Sequence, residues 1–298
     1  MTVGFIVLAH DDPVMLDLLL ESVDGMPTFV HLDKDARRRG LHAELRPREH
    51  VLVSPESVCV HWAGFSMLRA MMETLDYALQ NGADDLSHIA FLSGHCYPVR
   101  HPKDFEGFLD QTPQPVHCRA FALAQGPTRQ LNEWRVKRRH WLDGAVGHVN
   151  ERLPEGVARR FRQVLLVATL AMRVDLPRIT HACGSAWTAI PPGLAHELVE
   201  HYRRGGFDYL RHAVSPDEIA IPSYVYNGAW ASKTQRGCLD PPVDGPVTPN
   251  FHWLRRADYR RPMDENDVEA AQKSGHFFAR KVTSQQRGVI DRLREGWS

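Results

Sequence analysis

The chain opens on a block of apolar and small residues, Val3 to Ala9, that stops abruptly at His10-Asp11-Asp12-Pro13. A short β-branched run of this kind predicts a buried strand. The next apolar residues, Met15, Leu16, Leu19, Leu20 and Val23, recur at helical spacing, and Thr28 to Asp33 returns to a strand pattern. Pro13 suits the first helical turn, where its missing N–H would have no partner, and Asp11 or Asp12 can cap that turn. Strand, loop, helix and strand make a βαβ unit. Its strand-end loops, 10–12 and 33–35, then share one edge of a parallel sheet, the edge at which open α/β folds bind ligands.

The alternation continues. Residues 50–54 read as a strand, Phe65 to Leu79 as an amphipathic helix, and 88–92 as a strand running into Ser93-Gly94-His95-Cys96-Tyr97-Pro98. From about 125 to 162 the chain is rich in Arg, His and Trp without a clean period, which predicts an insertion or acceptor-side lobe. A helix is expected near 161–173, a strand over Gly184 to Ile190, a helix over 192–205, and a further helix starting at Ser215-Pro216-Asp217-Glu218. The proline-rich stretch 237–249 reads as a loop, with the last core strand near 251–259. These elements predict an α/β fold with a Rossmann-type, mixed but mostly parallel sheet flanked by helices. We read the 298 residues as one domain, a ligand-binding half of about 1–124 and a second half of about 125–298.

Lys plus Arg and Asp plus Glu number 36 each, so no global field favours nucleic acid or an anionic surface. The first strand lacks the basic flank of a signal peptide. The apolar stretch Val164 to Met172 is far shorter than the roughly 20 residues of a membrane span. The five cysteines, Cys59, Cys96, Cys118, Cys183 and Cys238, show no CxxC spacing and suggest neither zinc site nor disulfide framework. A soluble cytoplasmic protein is expected, with no nucleic acid or membrane-span partner; oligomeric state is not legible.

Seven segments, in order, carry a resemblance: IVLAHDDPVMLDLLL, FVHLDKD, VHWAGFSMLRA, FLSGHCYPV, GSAWTAI, SPDE and HFFARKV. Each alone is weak, but their order along nearly the whole chain is specific. Together they resemble the core-2/I-branching N-acetylglucosaminyltransferase and peptide O-xylosyltransferase family. The resemblance implies a GT-A-like fold and an inverting glycosyltransferase that needs no divalent metal or other cofactor. It implies a nucleotide-sugar donor, UDP-linked as in UDP-GlcNAc or UDP-xylose, and a small-molecule or glycan acceptor. The lack of an anchor or stem points to a bacterial member.

Glu218 matches the family's catalytic base, since displacement at an anomeric carbon needs a carboxylate to take the acceptor's proton. Ser215 capping a helix with Asp217 and Glu218 in its first turn would give the same pattern without catalysis; Asp217 reads as the structural partner. Lys281 matches the family's carboxyl-terminal diphosphate-binding cation, which substitutes for a metal by countering charge on the leaving group. Arg255 aligns with a second cation, Arg256 being the near alternative; ordinary surface charge is the plain reading of all three. Ala9, His10 and Asp33 match nucleotide-binding positions, although lone residues of these types usually bond nearby backbone. Trp187 could stack on a sugar or pack; Trp62 is unassigned.

One position departs from the family. Cys96 stands where an Asp is usual, beside His95, in the donor or acceptor pocket. A thiol there agrees with the absence of a hard metal ion, which prefers oxygen ligands. Either it signals an altered or deoxygenated donor sugar, with His95 compensating, or it is a packing cysteine. Two other readings compete. Seventeen histidines, with His10-Asp11-Asp12 and His31-x-Asp33, are ligand types for a metal-dependent hydrolase or deacetylase. A catalytically lapsed sugar-nucleotide-binding relative is the other.

Overall fold

The computed structural model describes residues 2–112, 114–125, 129–169, 172, 174–234, 251–255 and 261–297. The elements run β1 (Val3–Ala9), α1 (Pro13–Ser22), β2 (Thr28–Leu32), α2 (Lys34–Arg38), β3 (Val51–Val53), α3 (Phe65–Gln80), β4 (His88–Ser93), β5 (Tyr97–Pro98) and α4 (Pro102–Gln111). Then come β6 (Phe121–Ala122), α5 (Arg129–Lys137), α6 (Gly144–Arg152), α7 (Glu155–Ala168), β7 (Ala182–Cys183), β8 (Ala189–Ile190), α8 (Pro192–Arg203) and α9 (Asp217–Asn227). The last are β9 (His252–Leu254), α10 (Glu265–Lys273), β10 (Phe278–Arg280) and α11 (Arg287–Glu295).

Among the described residues the main sheet has the order β3-β2-β1-β4-β8. Its first four strands are parallel, with Val7 opposite both Val30 and Leu92, and β8 closes the edge antiparallel to β4. This is the mixed, mostly parallel sheet expected of a GT-A-like α/β fold. Every residue of β1 is buried, as a central parallel strand covered on both faces requires. Alternation splits it cleanly. Ile6 and Leu8 join the core under α3, α8 and α9, whereas Val3, Phe5, Val7 and Ala9 join the core of α1, α4 and Phe278.

A second sheet, β5-β10-β9, continues from the carboxyl end of β4. Here β9 and β10 are parallel with Leu254 opposite Arg280, so Arg255 and Lys281 leave adjacent strand ends side by side. A third core, under α10 and α11, holds Tyr97, Val99 and Val282 and fixes this small sheet.

Four expectations need correction. Most of 129–168 is helical, forming α5, α6 and α7; the arginine-rich sequence hid a helical period that the apolar residues of α7 keep. The helix expected near 161–173 starts earlier, at Glu155 behind Pro154, and ends at Ala168. Only Ala189–Ile190 of the strand expected over Gly184 to Ile190 is β-structure; residues 184–188 link it to β7. Gly184 N–H donates to Glu218 O at 2.9 Å, and a Cβ on Gly184 would lie 1.8 Å from Arg119 O, so the backbones meet where a side chain cannot fit. The segment near 251–259 contributes β9 to the second sheet, and β10 is the later strand. The expected loop at 237–249, Cys238 and Arg256 lie outside the described residues.

Candidate active site

The carboxyl ends of β1 and β4 build the first group. Gly94 lies against Ala9, where an added Cβ would come within 2.9 Å of the Ala9 side chain, so the β4 turn can cross close over β1. That crossing delivers the buried His95 ring between two acceptors. His95 Nδ1 is 2.9 Å from Val282 O, and its Nε2 is 2.6 Å from Asp11 Oδ1. The ring is thus held between a backbone carbonyl and a carboxylate. Burial would raise the Asp11 pKa, but the His95 hydrogen bond and the positive potential of His10, His95 and Lys281 outweigh it and bring it down to about 2. His10 is exposed, with its ring edge-on to that of His95 at 5.7 Å between centroids. Lys281, half-buried at the end of β10, adds positive potential to both His10 and Asp11. His10, His95 and Lys281 therefore do assemble. Asp12, rather than Asp11, caps α1, accepting from Met15 N–H at 3.0 Å.

Asp33 behaves differently from its expected role. Its Oδ1 accepts from Asp35 N–H at 2.8 Å and Ala36 N–H at 3.2 Å, capping α2, and its Oδ2 accepts from Val60 N–H at 2.7 Å. Three backbone donors hold the carboxylate, so it clamps the loop before α3 to the end of β2. Its own N–H donates to Ala9 O at 2.8 Å, which fixes both strand ends.

Arg255 is also already engaged. It donates to Asp264 at 2.7 Å and to both oxygens of Asp267, the two carboxylates that form the capping box of α10. The register places it beside Lys281, but its charge is matched by two acids, unlike a cation held ready for a diphosphate.

Cys96 is fully buried in the core against α4, with Sγ 3.3 Å from His252 Nε2 and accepting from Ser93 N–H. Burial pushes the thiol up to about 11. This corrects the pocket reading: Cys96 packs, and an altered donor sugar does not follow from it.

The second group surrounds Glu218. Ser215, left-handed at φ 48, donates its N–H to the carbonyl of Ala63, left-handed at φ 60, at 2.8 Å. Two non-glycine residues in this region store strain at one point, as active sites often do. The twist corrects the capping idea as well: Ser215 does not cap α9, whose N-cap is Pro216 without a side-chain bond. Glu218 emerges from the first turn with its carboxylate 41% exposed and Oε2 2.7 Å from Arg135 Nη2. Arg135 is aimed by two further bonds, to Val214 O at 3.1 Å and Ser215 O at 3.0 Å. Burial and the adjacent Glu218 carboxylate push Asp217 up to about 7, against the lowering pull of Arg135 and Arg280. Arg280 also lies over the Trp187 ring at 5.2 Å, so Trp187 packs under a cation at the rim of this group.

Arg135 was not singled out in the sequence, and Arg280 was read there only as ordinary surface charge. Arg135 lies within the basic aromatic stretch read as an acceptor lobe, and Arg280 precedes Lys281; composition marked the region, and no spacing marked the residue. Consecutive residues of the β10 end thus serve both groups, Arg280 toward Asp217 and Lys281 toward His10 and Asp11.

The family model described as Core-2/I-Branching enzyme matches residues 3–141. Through that segment, just under half of its length, the chain is similar to the core-2/I-branching enzymes. The core-2/I-branching segment holds Ala9, His10, Asp33, His95, Cys96 and Arg135; Trp187, Asp217, Glu218, Arg255 and Lys281 lie beyond it. Similar solved structures include mannose-1-phosphate geranyltransferase from Thermus thermophilus, at 13% identity over 76% of this chain and 70% of that one, with a TM-score of 0.32. Mouse xyloside xylosyltransferase 1, apo form, is another, at 10% identity over 79% of this chain and 84% of that one, with a TM-score of 0.33. No curated protein matches the chain.

Proposed function

We propose that this protein is an inverting glycosyltransferase that moves a sugar from a UDP-linked donor to a hydroxyl of a small-molecule or glycan acceptor, without a metal. The observation that carries the reading is the juxtaposition at β10: an open carboxylate, Glu218, beside Asp217 and Arg280 on one side, and Lys281 with the His10 and His95 rings on the other. Glu218 takes the acceptor proton as the acceptor oxygen bonds to the anomeric carbon. The carbon–oxygen bond to the diphosphate breaks from the opposite face, and the electron pair leaves with the nucleotide diphosphate. Lys281 meets that developing charge, with His95 beside it; a fixed cation in a pre-built site stabilises it without reorganisation. Arg255 joins them only if donor binding draws it from Asp264 and Asp267. The ends of β1 and β2 near Ala9 and His10 receive the nucleotide, giving a donor half of about 1–124 and an acceptor half of about 125–298. A bacterial cytoplasmic setting fits the composition, and no helix among the described residues is long and apolar enough to cross a membrane.

One observation favours a second reading. His10, Asp11 and His95 offer three metal-ligand atoms within 4.8 Å of one another, as a metal-dependent hydrolase would need. The Lys281 charge beside His10 and Asp11 works against a cation there. Thermal shift with uridine and thymidine nucleotides and their sugars, in EDTA, tests both. A UDP compound that stabilises the chain with EDTA present supports the transferase. No response to any of these nucleotides overturns it, and a response to divalent metal with hydrolysis lost in EDTA favours the alternative.

A further inference from the structure

Away from Glu218 and Lys281, another cluster gathers donors of a different chemistry. Cys59 and His61 lie on the loop between β3 and α3, and His148 lies on α6. One ligand atom from each falls within 4.8 Å of the other two. Cys59 Sγ is 3.8 Å from His148 Nε2, and the His61 and His148 rings meet edge to face at 4.6 Å between centroids. A tetrahedral zinc, with Zn–S about 2.3 Å and Zn–N about 2.0–2.1 Å, holds such donors roughly 3.3–3.6 Å apart. The three side chains are thus a small contraction away from a coordination triangle. Asp35 Oδ2 lies 3.9 Å from Cys59 Sγ.

The backbone is shaped to allow this approach. A Cβ on Gly147, next to His148, would come within 2.8 Å of the His61 ring, and a Cβ on Gly64 would come within 2.3 Å of Asp143 Oδ1. Both glycines let α6 settle onto the loop. Asp143 secures the contact, accepting from Ser66 Oγ at 2.5 Å. The cluster lines a cavity of about 480 Å³, which gives an ion a way in.

We propose that Cys59, His61 and His148 bind one borderline-soft divalent transition-metal ion of the zinc class, with Asp35 or water in the fourth position. Thiolate with two imidazoles is a donor set for such ions and a poor one for magnesium or calcium. Binding releases the Cys59 proton and ties α6 to the loop whose Val60 N–H is held by Asp33.

The test uses the full chain freed of metal by chelator, titrated with zinc by calorimetry and with cobalt by absorption. One zinc per chain is expected, and cobalt should give a thiolate charge-transfer band together with intense tetrahedral ligand-field bands. Cys59→Ser should abolish the charge-transfer band. Cys59→Ser and His148→Ala should each weaken zinc by more than the about 10–100-fold cost of losing an outer-shell partner. His10→Ala reports on the other His-Asp-His group and should leave zinc binding unchanged. Circular dichroism checks that each metal-free variant is folded. Absence of the charge-transfer band in the unaltered protein, which requires no variant, overturns the proposal, as does zinc that is lost with His10→Ala.

Discussion

The strand-end edge and the Glu218 corner are built on opposite plans. At the edge, neighbouring parallel strands carry Ala9, Asp33 and His95 to one side as a consequence of sheet geometry, and much of the polar capacity there is consumed by backbone. Asp33 accepts three N–H bonds, and His95 is pinned between Val282 O and Asp11. At the corner, Glu218 is held by an arginine 83 residues away and stays 41% exposed. Residues that complete a scaffold and residues left available for chemistry can share a motif. Hydrogen-bond occupancy separates them where residue type does not.

The largest effect that would test this contrast is at Glu218. Glu218→Gln should lower kcat by about 10²–10⁴-fold, the usual reach of a general base, with the donor thermal shift retained. Turnover near that of the unaltered protein would remove the corner from the mechanism. Next, Arg135→Ala should cut kcat by about 10–100-fold through loss of aim, and in combination with Glu218→Gln it should add little, because the two act as one unit. Full additivity in that double-mutant cycle would show the pair to be uncoupled.

The two candidate cations give a sharper comparison. Lys281→Ala should lower kcat/KM by about 10–100-fold, the size of one lost charge contact at a leaving group. Arg255→Ala should act chiefly on the melting temperature by unbalancing Asp264 and Asp267. An equal kinetic loss in both would restore Arg255 to the diphosphate. At the edge, Asp33→Ala should cost about 2–4 kcal/mol of stability by stranding three backbone donors, with nucleotide affinity per folded molecule little changed. Loss of affinity without loss of stability would return Asp33 to the ribose.

The smallest effect is acid lability. His31 is buried, and its Nε2 accepts from Val58 N–H at 3.0 Å, so the fold requires the neutral ring. Burial brings its pKa from 6.5 to about 4. The unfolded chain therefore binds the proton first, and the stability His31 contributes is intact above about 6.5 and lost as pH falls toward about 4. Melting temperature followed from pH 7 to pH 4 should decline, and less so in His31→Gln; a flat profile would count against the buried neutral ring.

Much of the fold was legible because period and punctuation are local. Val3 to Ala9, Pro13 and Phe65 to Leu79 declare strand, helix start and helix within a few residues each. The resemblance pointed to Glu218 and Lys281, and His95 was noted beside Cys96. The rest depended on contacts that no local pattern encodes. Cys96 looked like a pocket residue by position, yet only the packed core reveals that its sulfur faces His252. Arg135 hid among several arginines, and the helices of 129–168 were masked by a basic surface. Arg255 matched by alignment, while the acids that bind it, Asp264 and Asp267, follow it on α10.

The insertion of β10 between β5 and β9 bears on how the enzyme comes into being on the ribosome. The β1 to β4 edge can assemble early during translation, but Arg280 and Lys281 reach their places only after nearly all the preceding chain has emerged. On the proposed function, a nascent chain would then present the strand-end edge at Ala9 and His10 before Lys281, the cation assigned to the leaving diphosphate, is in place.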